Sequence, residues 1–236
     1  MGILVLIRHG QASFLADDYD QLSELGREQS RRLGLHWKST GTNYDRIYAG
    51  PARRHAQTCE LVTEAAGADR SGVQRLEEFD EYNAFGLLKA VLPRLVPEDP
   101  VARSLHADYA AQHEERLKAR AFERLFQHVT RRWAAGEIQA DGIEPWHEFC
   151  SRVARGITRV IQESEPGSRV AVFTSGGPIA AAARLALDLS AVKTLELSWS
   201  SYNASYSEFL FSPNRLSLLS FNRYPHLDGN GMLSWR

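Results

Sequence analysis

The stretch Met1-Gly-Ile-Leu-Val-Leu-Ile-Arg-His-Gly-Gln-Ala12 decides the fold that this sequence predicts. Its apolar run from Ile3 to Ile7 is unbroken, which is typical of a parallel strand buried on both faces. Arg8, His9 and Gly10 follow at the carboxyl end of that strand, the edge of an open α/β sheet at which ligands bind. An arginine beside a histidine suits a phosphate ligand there, because the guanidinium offers a planar fork of donors to phosphate oxygens.

Two roles are open for His9 from this stretch alone. In the first, the imidazole is a polar cap on the end of a strand. In the second, a neutral imidazole is the nucleophile that attacks phosphorus, while Arg8 neutralises the charge that builds up on the equatorial oxygens.

The composition is that of an ordinary globular protein, with 43% hydrophobic and 24% charged residues among 236. A net charge of −1 without a long basic run argues against nucleic-acid or membrane-surface partners. Cys59 and Cys150 are far apart, and we expect both to be reduced core residues. The first apolar stretch is too short for a signal peptide, and no segment approaches the roughly 20 apolar residues of a membrane span, so we expect a cytoplasmic protein.

Alternating strand and helix patterns predict an α/β fold: a three-layer sandwich with a mostly parallel central sheet and helices on both faces. We expect residues 1–236 to form a single domain. The strand pattern disappears over residues 83–145, which predicts a helical insertion. Antiparallel strands are expected at the end of the chain. The aromatic-rich stretch Tyr202–Phe211 is interpreted as an edge strand that is able to pair in a homodimer.

Three other segments carry chemistry with open interpretations. The acidic run Glu77–Glu81 is either a solvated loop or the source of a general acid, because crowded carboxylates near an anionic ligand have raised pKa values. Arg54, in the first turn of a predicted helix, either faces solvent or points toward the mouth of the sheet. Thr174-Ser-Gly-Gly-Pro178 follows a buried strand, and its glycines and helix start favour an anion.

The chain resembles the histidine phosphatase superfamily, also called phosphoglycerate mutase-like, in four motifs that follow in the same order. They are Arg8-His-Gly-Gln11, Leu22-Ser-Glu-Leu-Gly26, Gly50-Pro-Ala-Arg-Arg-His-Ala-Gln-Thr58 and Leu76-Glu-Glu78. The resemblance implies that His9 is transiently phosphorylated and that Arg8 and Arg54 bind the phosphoryl group. It also implies Glu78 as the acid, since the family's acid follows a leucine by two positions. Asp80 and Glu81 stay as alternatives, because the sequence after Glu78 lacks the usual glycine-containing pattern.

Two departures from the family fall on phosphate binding. The family usually has Ser-His-Gly-Gly where this chain has Thr174-Ser-Gly-Gly177, so Ser175 replaces the second active-site histidine. Leu15 stands where many members have an asparagine that contacts phosphate. We still expect Gly10, Ser175 and Gly176 to bind phosphate, although a serine donates one hydrogen bond and carries no charge.

The family's second motif is Ser-Pro-Leu, any residue, Arg, Ala, any residue, Gln-Thr. Its arginine aligns with Arg54, and Arg53 is the variable neighbour.

The function expected from the resemblance is hydrolysis of a small-molecule phosphomonoester through a phosphohistidine, with no metal or organic cofactor. A catalytically weakened phospho-ligand binder or scaffold is one alternative, and a phosphoglycerate mutase-like phosphotransferase is another. The variant Ser175→His distinguishes two explanations for the serine at this position. Turnover rises if the serine is a degraded position, and it falls or stays unaltered if the pocket is rebuilt around serine, which we expect because Thr174 and Pro178 also depart from the usual neighbours.

Overall fold

The strands of the computed structural model, which describes residues 1–13, 20–229 and 231–235, form one sheet. Their bounds are β1 (Gly2–Arg8), β2 (Arg46–Ala49), β3 (Gln74–Arg75), β4 (Arg169–Thr174), β5 (Tyr206–Ser212) and β6 (Arg215–Arg223). Within the described chain the order across the sheet is β3-β2-β4-β1-β5-β6. The pairs among β1 to β4 are parallel, whereas β5 and β6 are antiparallel, which confirms the mostly parallel sheet.

Helices cover both faces of this sheet, as the sequence predicts. They are α1 (Glu24–Thr40), α2 (Arg53–Ala66), α3 (Ala84–Glu98), α4 (Pro100–Ala111), α5 (Glu115–Ala134), α6 (Trp146–Gln162), α7 (Gly176–Leu187) and α8 (Ala191–Trp199). Short 3-10 turns occupy Glu77–Phe79 and Pro225–Leu227. Residues 83–145, all of them described, contain α3, α4 and α5 and no strand.

The side chains of β1 alternate between two cores, because successive residues of a strand point to opposite faces of the sheet. Leu4 and Leu6 belong to the larger core, which also contains apolar residues of α3, α5, α6 and α7. Val5 and Ile7 belong to the smaller core, where the helix α1 contributes Leu33 and Trp37 and α2 contributes Cys59 and Val62. Burial on both faces explains the unbroken apolar run, since Leu4 to Ile7 are all 0% exposed.

The prediction of an edge strand at Tyr202–Phe211 is wrong. β5 lies between β1 and β6, with register pairs that include Leu4 to Phe209 on one side and Phe209 to Leu218 on the other. The edge on that side of the described sheet is β6. The backbone of β5 is therefore paired on both sides and does not offer an edge to another strand.

Two neighbouring parallel strands end together at the carboxyl edge of the sheet. Arg8 of β1 is in register with Thr174 of β4, and the His9 backbone N–H donates a hydrogen bond of 2.9 Å to the Thr174 carbonyl oxygen. This edge therefore brings the loop after β1 beside the start of α7, although the two segments are far apart in sequence.

Candidate active site

A cavity of about 970 Å³ opens at this edge of the sheet. It is lined by the end of β1 and the loop after it, the starts of α2 and α7, the acidic segment with the start of α3, the helix α5, the end of α8 and the last residues described. The lining residues with ionisable or aromatic side chains are Arg8, His9, Arg54, Asp80, Glu81, Tyr82, Phe85, Arg116, Arg120, Phe122, Glu123, Phe126, Trp199 and Trp235. The cavity holds far more than a phosphate group, so an organic group has room beside it.

His9 is only 7% exposed, and its ring is held in one orientation by its own loop. Nδ1 lies 2.7 Å from the Gly10 carbonyl oxygen, which is only able to accept, so Nδ1 carries the proton of this hydrogen bond. Burial, followed by the charges of Arg54 and Arg8, holds the pKa of His9 well below its ordinary value. The ring is therefore neutral near pH 7, and Nε2 presents a lone pair.

Two arginines converge on the cavity from different elements. Arg8 follows the buried strand and donates from Nη2 to the Trp235 carbonyl oxygen at 2.6 Å, and from Nη1 to the Ser201 carbonyl oxygen. Arg54 lies in the first turn of α2 with a side chain 12% exposed, and Nη1 pairs with Asp20 at 2.7 Å. Arg54 thus faces the mouth of the sheet and not bulk solvent. Two guanidinium groups beside a neutral imidazole are an arrangement that is able to bind an anion.

The acidic segment contributes a different carboxylate from the one that motif spacing implies. Glu78 lies 3.6 Å from Arg159 of α6 and does not line the cavity. The 3-10 turn Glu77–Phe79 directs Glu78 toward α6, and the chain reaches the cavity only afterwards, at Asp80 and Glu81. The structure therefore favours the alternatives over Glu78 as the group that meets a ligand.

Glu81 is anchored to the start of α7. Its Oε2 accepts a hydrogen bond of 3.0 Å from the Gly177 N–H, and its Oε1 accepts one of 3.1 Å from the Tyr82 N–H. A Cβ at residue 177 would lie 2.0 Å from Oε1, so glycine is required for this close approach. Burial raises the pKa of Glu81 despite the opposing hydrogen bonds and Arg54, and burial also raises the pKa of Asp80. A carboxyl with a raised pKa is suited to donate a proton.

Of the three residues expected to bind phosphate through backbone or hydroxyl groups, one lines the cavity and two do not. Gly176 lines the cavity at the start of α7. The Gly10 N–H instead donates to Thr58 Oγ1 at 3.1 Å, so the structure uses it to join the loop to α2. Ser175 is 1% exposed, and its Oγ lies 3.4 Å from Arg54 Nη2. Leu15 falls outside the described residues.

His55 is a site residue that the sequence analysis missed. It is fully buried beside Arg54, its Nε2 lies 2.7 Å from Ser175 Oγ, and its ring centroid is 5.7 Å from that of His9. Burial, followed by Arg54, holds its pKa well below the ordinary value. The sequence contains a sign of this residue, because the pattern that the resemblance implies has alanine at position 55 and this chain has histidine.

The remaining expectations concern residues away from the cavity. Cys59 and Cys150 are free thiols, and burial raises the pKa of Cys59 to about 12. Over residues 1–13, 20–229 and 231–235, no three acidic, imidazole or thiol side chains gather as ligands for a metal ion. In the same ranges no helix combines the length and apolar character needed to cross a membrane.

Comparison with known proteins gives a family whose model covers most of the chain. The model of the histidine phosphatase superfamily (branch 1) matches residues 4–121 and 111–223. A 2,3-bisphosphoglycerate-dependent phosphoglycerate mutase of Methylorubrum populi is 35% identical over 96 residues. That match spans 37% of this chain and 45% of the mutase, so the chain covers less than half of this relative.

Solved structures support the fold over nearly the full length. A phosphoglycerate mutase from Bacillus anthracis superposes with a TM-score of 0.65 at 17% identity, covering 95% of this chain and 94% of that one. A phosphoserine phosphatase from Entamoeba histolytica, in complex with 3-phosphoglyceric acid, superposes with a TM-score of 0.64 at 17% identity, covering 96% and 100%. The same fold thus occurs in proteins named as mutases and as phosphatases.

Proposed function

Since the chain belongs to the histidine phosphatase superfamily, we propose that it hydrolyses a phosphomonoester through a phosphohistidine on His9. The observation that carries this proposal is the neutral His9 ring, with Nδ1 bonded to the Gly10 carbonyl oxygen and two arginines lining the same cavity. This arrangement leaves Nε2 as the nucleophile, because a nitrogen with a free lone pair is able to attack phosphorus.

The reaction has two displacements at phosphorus. In the first, Nε2 of His9 forms a bond to phosphorus while the bond to the ester oxygen breaks, and Arg8 and Arg54 stabilise the charge on the equatorial oxygens. Glu81, in place of the implied Glu78, gives its proton to the departing alkoxide. In the second, the Glu81 carboxylate takes a proton from water as the oxygen attacks the phosphohistidine, which releases inorganic phosphate and restores His9.

The substrate proposed is a small phosphomonoester whose organic group rests against the helix α5. Phe122 and Phe126 offer aromatic surface there, and Arg116 and Arg120 are exposed cations on the same wall. The relatives support small phosphorylated compounds as a class, since the Entamoeba protein is named as a phosphoserine phosphatase and bound to 3-phosphoglyceric acid.

A panel of phosphomonoesters tests the proposal by release of inorganic phosphate from the wild type and from His9→Ala. We expect the wild type to release phosphate and His9→Ala to lose at least about 10³-fold in kcat. Quenching in alkaline denaturant during turnover should trap phosphate on the wild-type chain and not on the variant, because the P–N bond of a phosphohistidine is stable to base and hydrolyses in acid. Equal release by the two proteins would remove the phosphatase proposal.

Phosphoryl transfer between organic acceptors is the second candidate, and the mutase relative favours it. Incubation with 3-phosphoglycerate and 2,3-bisphosphoglycerate distinguishes the two activities. A phosphatase releases inorganic phosphate in proportion to substrate consumed, whereas a mutase forms 2-phosphoglycerate with little release. Binding without either reaction would support a phospho-ligand binder.

A further inference from the structure

Ser175 and His55 form a buried pair behind the phosphate site that the reaction scheme above does not use. His55 Nε2 and Ser175 Oγ are 2.7 Å apart, and Arg54 Nη2 lies 3.4 Å from the same hydroxyl oxygen. Arg54 and Gly176, the neighbours of His55 and Ser175 in sequence, both line the cavity. Ser175 itself is 1% exposed and does not line the cavity, so its hydroxyl reaches an anion only where Arg54 holds that anion at the back of the site.

The imidazole at position 55 requires space that the neighbouring loop provides. A Cβ at Gly50 would lie 2.5 Å from His55 Nδ1 and 2.7 Å from the Phe79 carbonyl oxygen, so a side chain at residue 50 and this ring exclude each other. The pattern that the resemblance implies has serine at 50, alanine at 55 and histidine at 175, whereas this chain has glycine, histidine and serine at these positions. The three departures fit one exchange in which the imidazole moves from the start of α7 to α2.

The direction of the hydrogen bond decides what Ser175 offers to a ligand. Among the described residues, His55 Nδ1 has no hydrogen bond of good geometry, although the nearby Gly50 backbone acts to raise the pKa of the ring. The Nδ1–H tautomer would direct its proton at the Gly50 backbone and leave Nε2 to accept from the Ser175 hydroxyl, whereas the Nε2–H tautomer donates to Ser175 Oγ. We assign the second tautomer. With Arg54 also donating to this oxygen, the remaining hydroxyl proton is free to turn toward an anion.

We propose that His55 is a positioning residue that holds the Ser175 hydroxyl as a hydrogen-bond donor to the phosphoryl group. The pair then supplies the donor that the family's second histidine supplies elsewhere, and this assignment rests on the proposed function. If Ser175 donated to His55 instead, its oxygen would present only lone pairs to a phosphoryl oxygen, and the contact would be repulsive.

Binding of orthovanadate, a phosphate analogue, tests the pair without turnover. Calorimetry on the full chain compares wild type, Ser175→Ala, His55→Leu, the double variant and His55→Gln. Each of the first two variants should weaken binding about ten- to a hundred-fold, as expected for one hydrogen bond to a charged group. The double variant should bind no more weakly than Ser175→Ala, because residues acting as a unit are not additive. His55→Gln should recover most of the affinity, since its amide N–H is able to donate to Ser175.

The exchange itself supplies an independent test. Ser175→His alone should weaken vanadate binding, because two imidazoles compete for the space that Ser175 and His55 share. Combining it with His55→Ala should return the affinity to within a few-fold of wild type. Activity on a phosphomonoester should follow the same order in kcat, with KM changing less.

Wild-type affinity in His55→Leu, losses that multiply in the double variant, or failure of the exchange variant to recover would each overturn the proposal. A chain that binds vanadate but releases no phosphate from any ester would instead overturn the proposed function and leave these comparisons interpretable. Thermal midpoints of all variants distinguish lost contacts from lost folding, and His55→Gln is the matched control for packing.

Discussion

The ends of β1 and β4 lie side by side in the sheet, yet they bring different chemistry to the cavity. The end of β1 supplies charge and reactivity within two consecutive residues, Arg8 and His9. The end of β4 supplies a buried hydroxyl at Ser175 and the start of α7, whose Gly177 N–H holds Glu81. The end of β1, the charged end of the site, therefore acts through its own side chains. The end of β4, the neutral end, acts through the hydroxyl of Ser175 and through the position it gives to Glu81.

The difference between the two strand ends shows why replacement of one motif residue does not by itself abolish phosphate binding. At β1 the reactive groups follow directly from a strand that is fixed by burial on both faces, so little else is needed to orient them. At β4 the hydroxyl acts only with partners from α2, and the glycine acts only with Glu81. A change at β4 is therefore open to compensation from another element.

The largest effect that sharpens this comparison is expected at Glu81. Glu81→Gln keeps the shape and, through its single amide oxygen, one of the two backbone hydrogen bonds that Glu81 accepts. It removes the transferable proton and should lower kcat by about 10³ on an alkyl phosphomonoester. The loss should be smaller on p-nitrophenyl phosphate, whose leaving group needs little protonation.

Glu78→Gln is the matched control, because Glu78 lies in the same segment and pairs with Arg159 away from the cavity. It should change kcat by less than about threefold, because the ion pair of Glu78 with Arg159 is partly exposed and lies away from the cavity. A larger loss in Glu78→Gln than in Glu81→Gln would restore the assignment that motif spacing implies.

The next largest effect is the difference between removing the charge of Arg8, at the end of β1, and removing the hydroxyl of Ser175, at the end of β4. Arg8→Met removes the guanidinium and should lower kcat/KM by about 10²–10³, because a preorganised charged donor stabilises the transition state. Ser175→Ala removes one neutral donor and should cost about ten- to a hundred-fold, since charge-assisted hydrogen bonds are the stronger ones. Steady-state kinetics on one substrate measure both, and equal losses would break the distinction between the two ends.

The sequence predicts the charged end better than the neutral one, for a physical reason. Burial periodicity locates β1, and the residues that follow it are contiguous, so Arg8 and His9 reach one site without knowledge of the rest of the chain. Arg54 follows from the family pattern. Glu81 and His55 do not, because their positions depend on a 3-10 turn that sends Glu78 toward α6 and on contacts with the start of α7, about a hundred residues away. The sequence also did not predict that β5 pairs with a strand on each side, because an alternating pattern does not show how many neighbours a strand has.

A smaller effect is expected from a single methyl group at the neutral end. Gly177→Ala places a Cβ where Glu81 Oε1 lies at 2.0 Å, so the carboxylate must move. We expect a loss of about tenfold in kcat on an alkyl phosphomonoester, from misplacement of the acid. Gly72→Ala is the control, because a Cβ there meets no atom within 4 Å. An unaltered kcat in Gly177→Ala would show that Glu81 works from another position.

The smallest expected change is in the shape of the pH profile, and it tests both ends at once. His9 must be neutral to attack, and its pKa is held below the ordinary value of about 6.5 by burial and by Arg54, so the acid limb lies below that pH. Glu81 must be protonated, and burial raises its pKa above the ordinary value of about 4.3, so activity falls as the pH rises through that raised value. The ratio of kcat/KM between wild type and Glu81→Gln cancels the ionisation of the substrate and of His9. This ratio should decline toward alkaline pH, and a ratio that is constant from pH 4 to 9 would show that Glu81 transfers no proton.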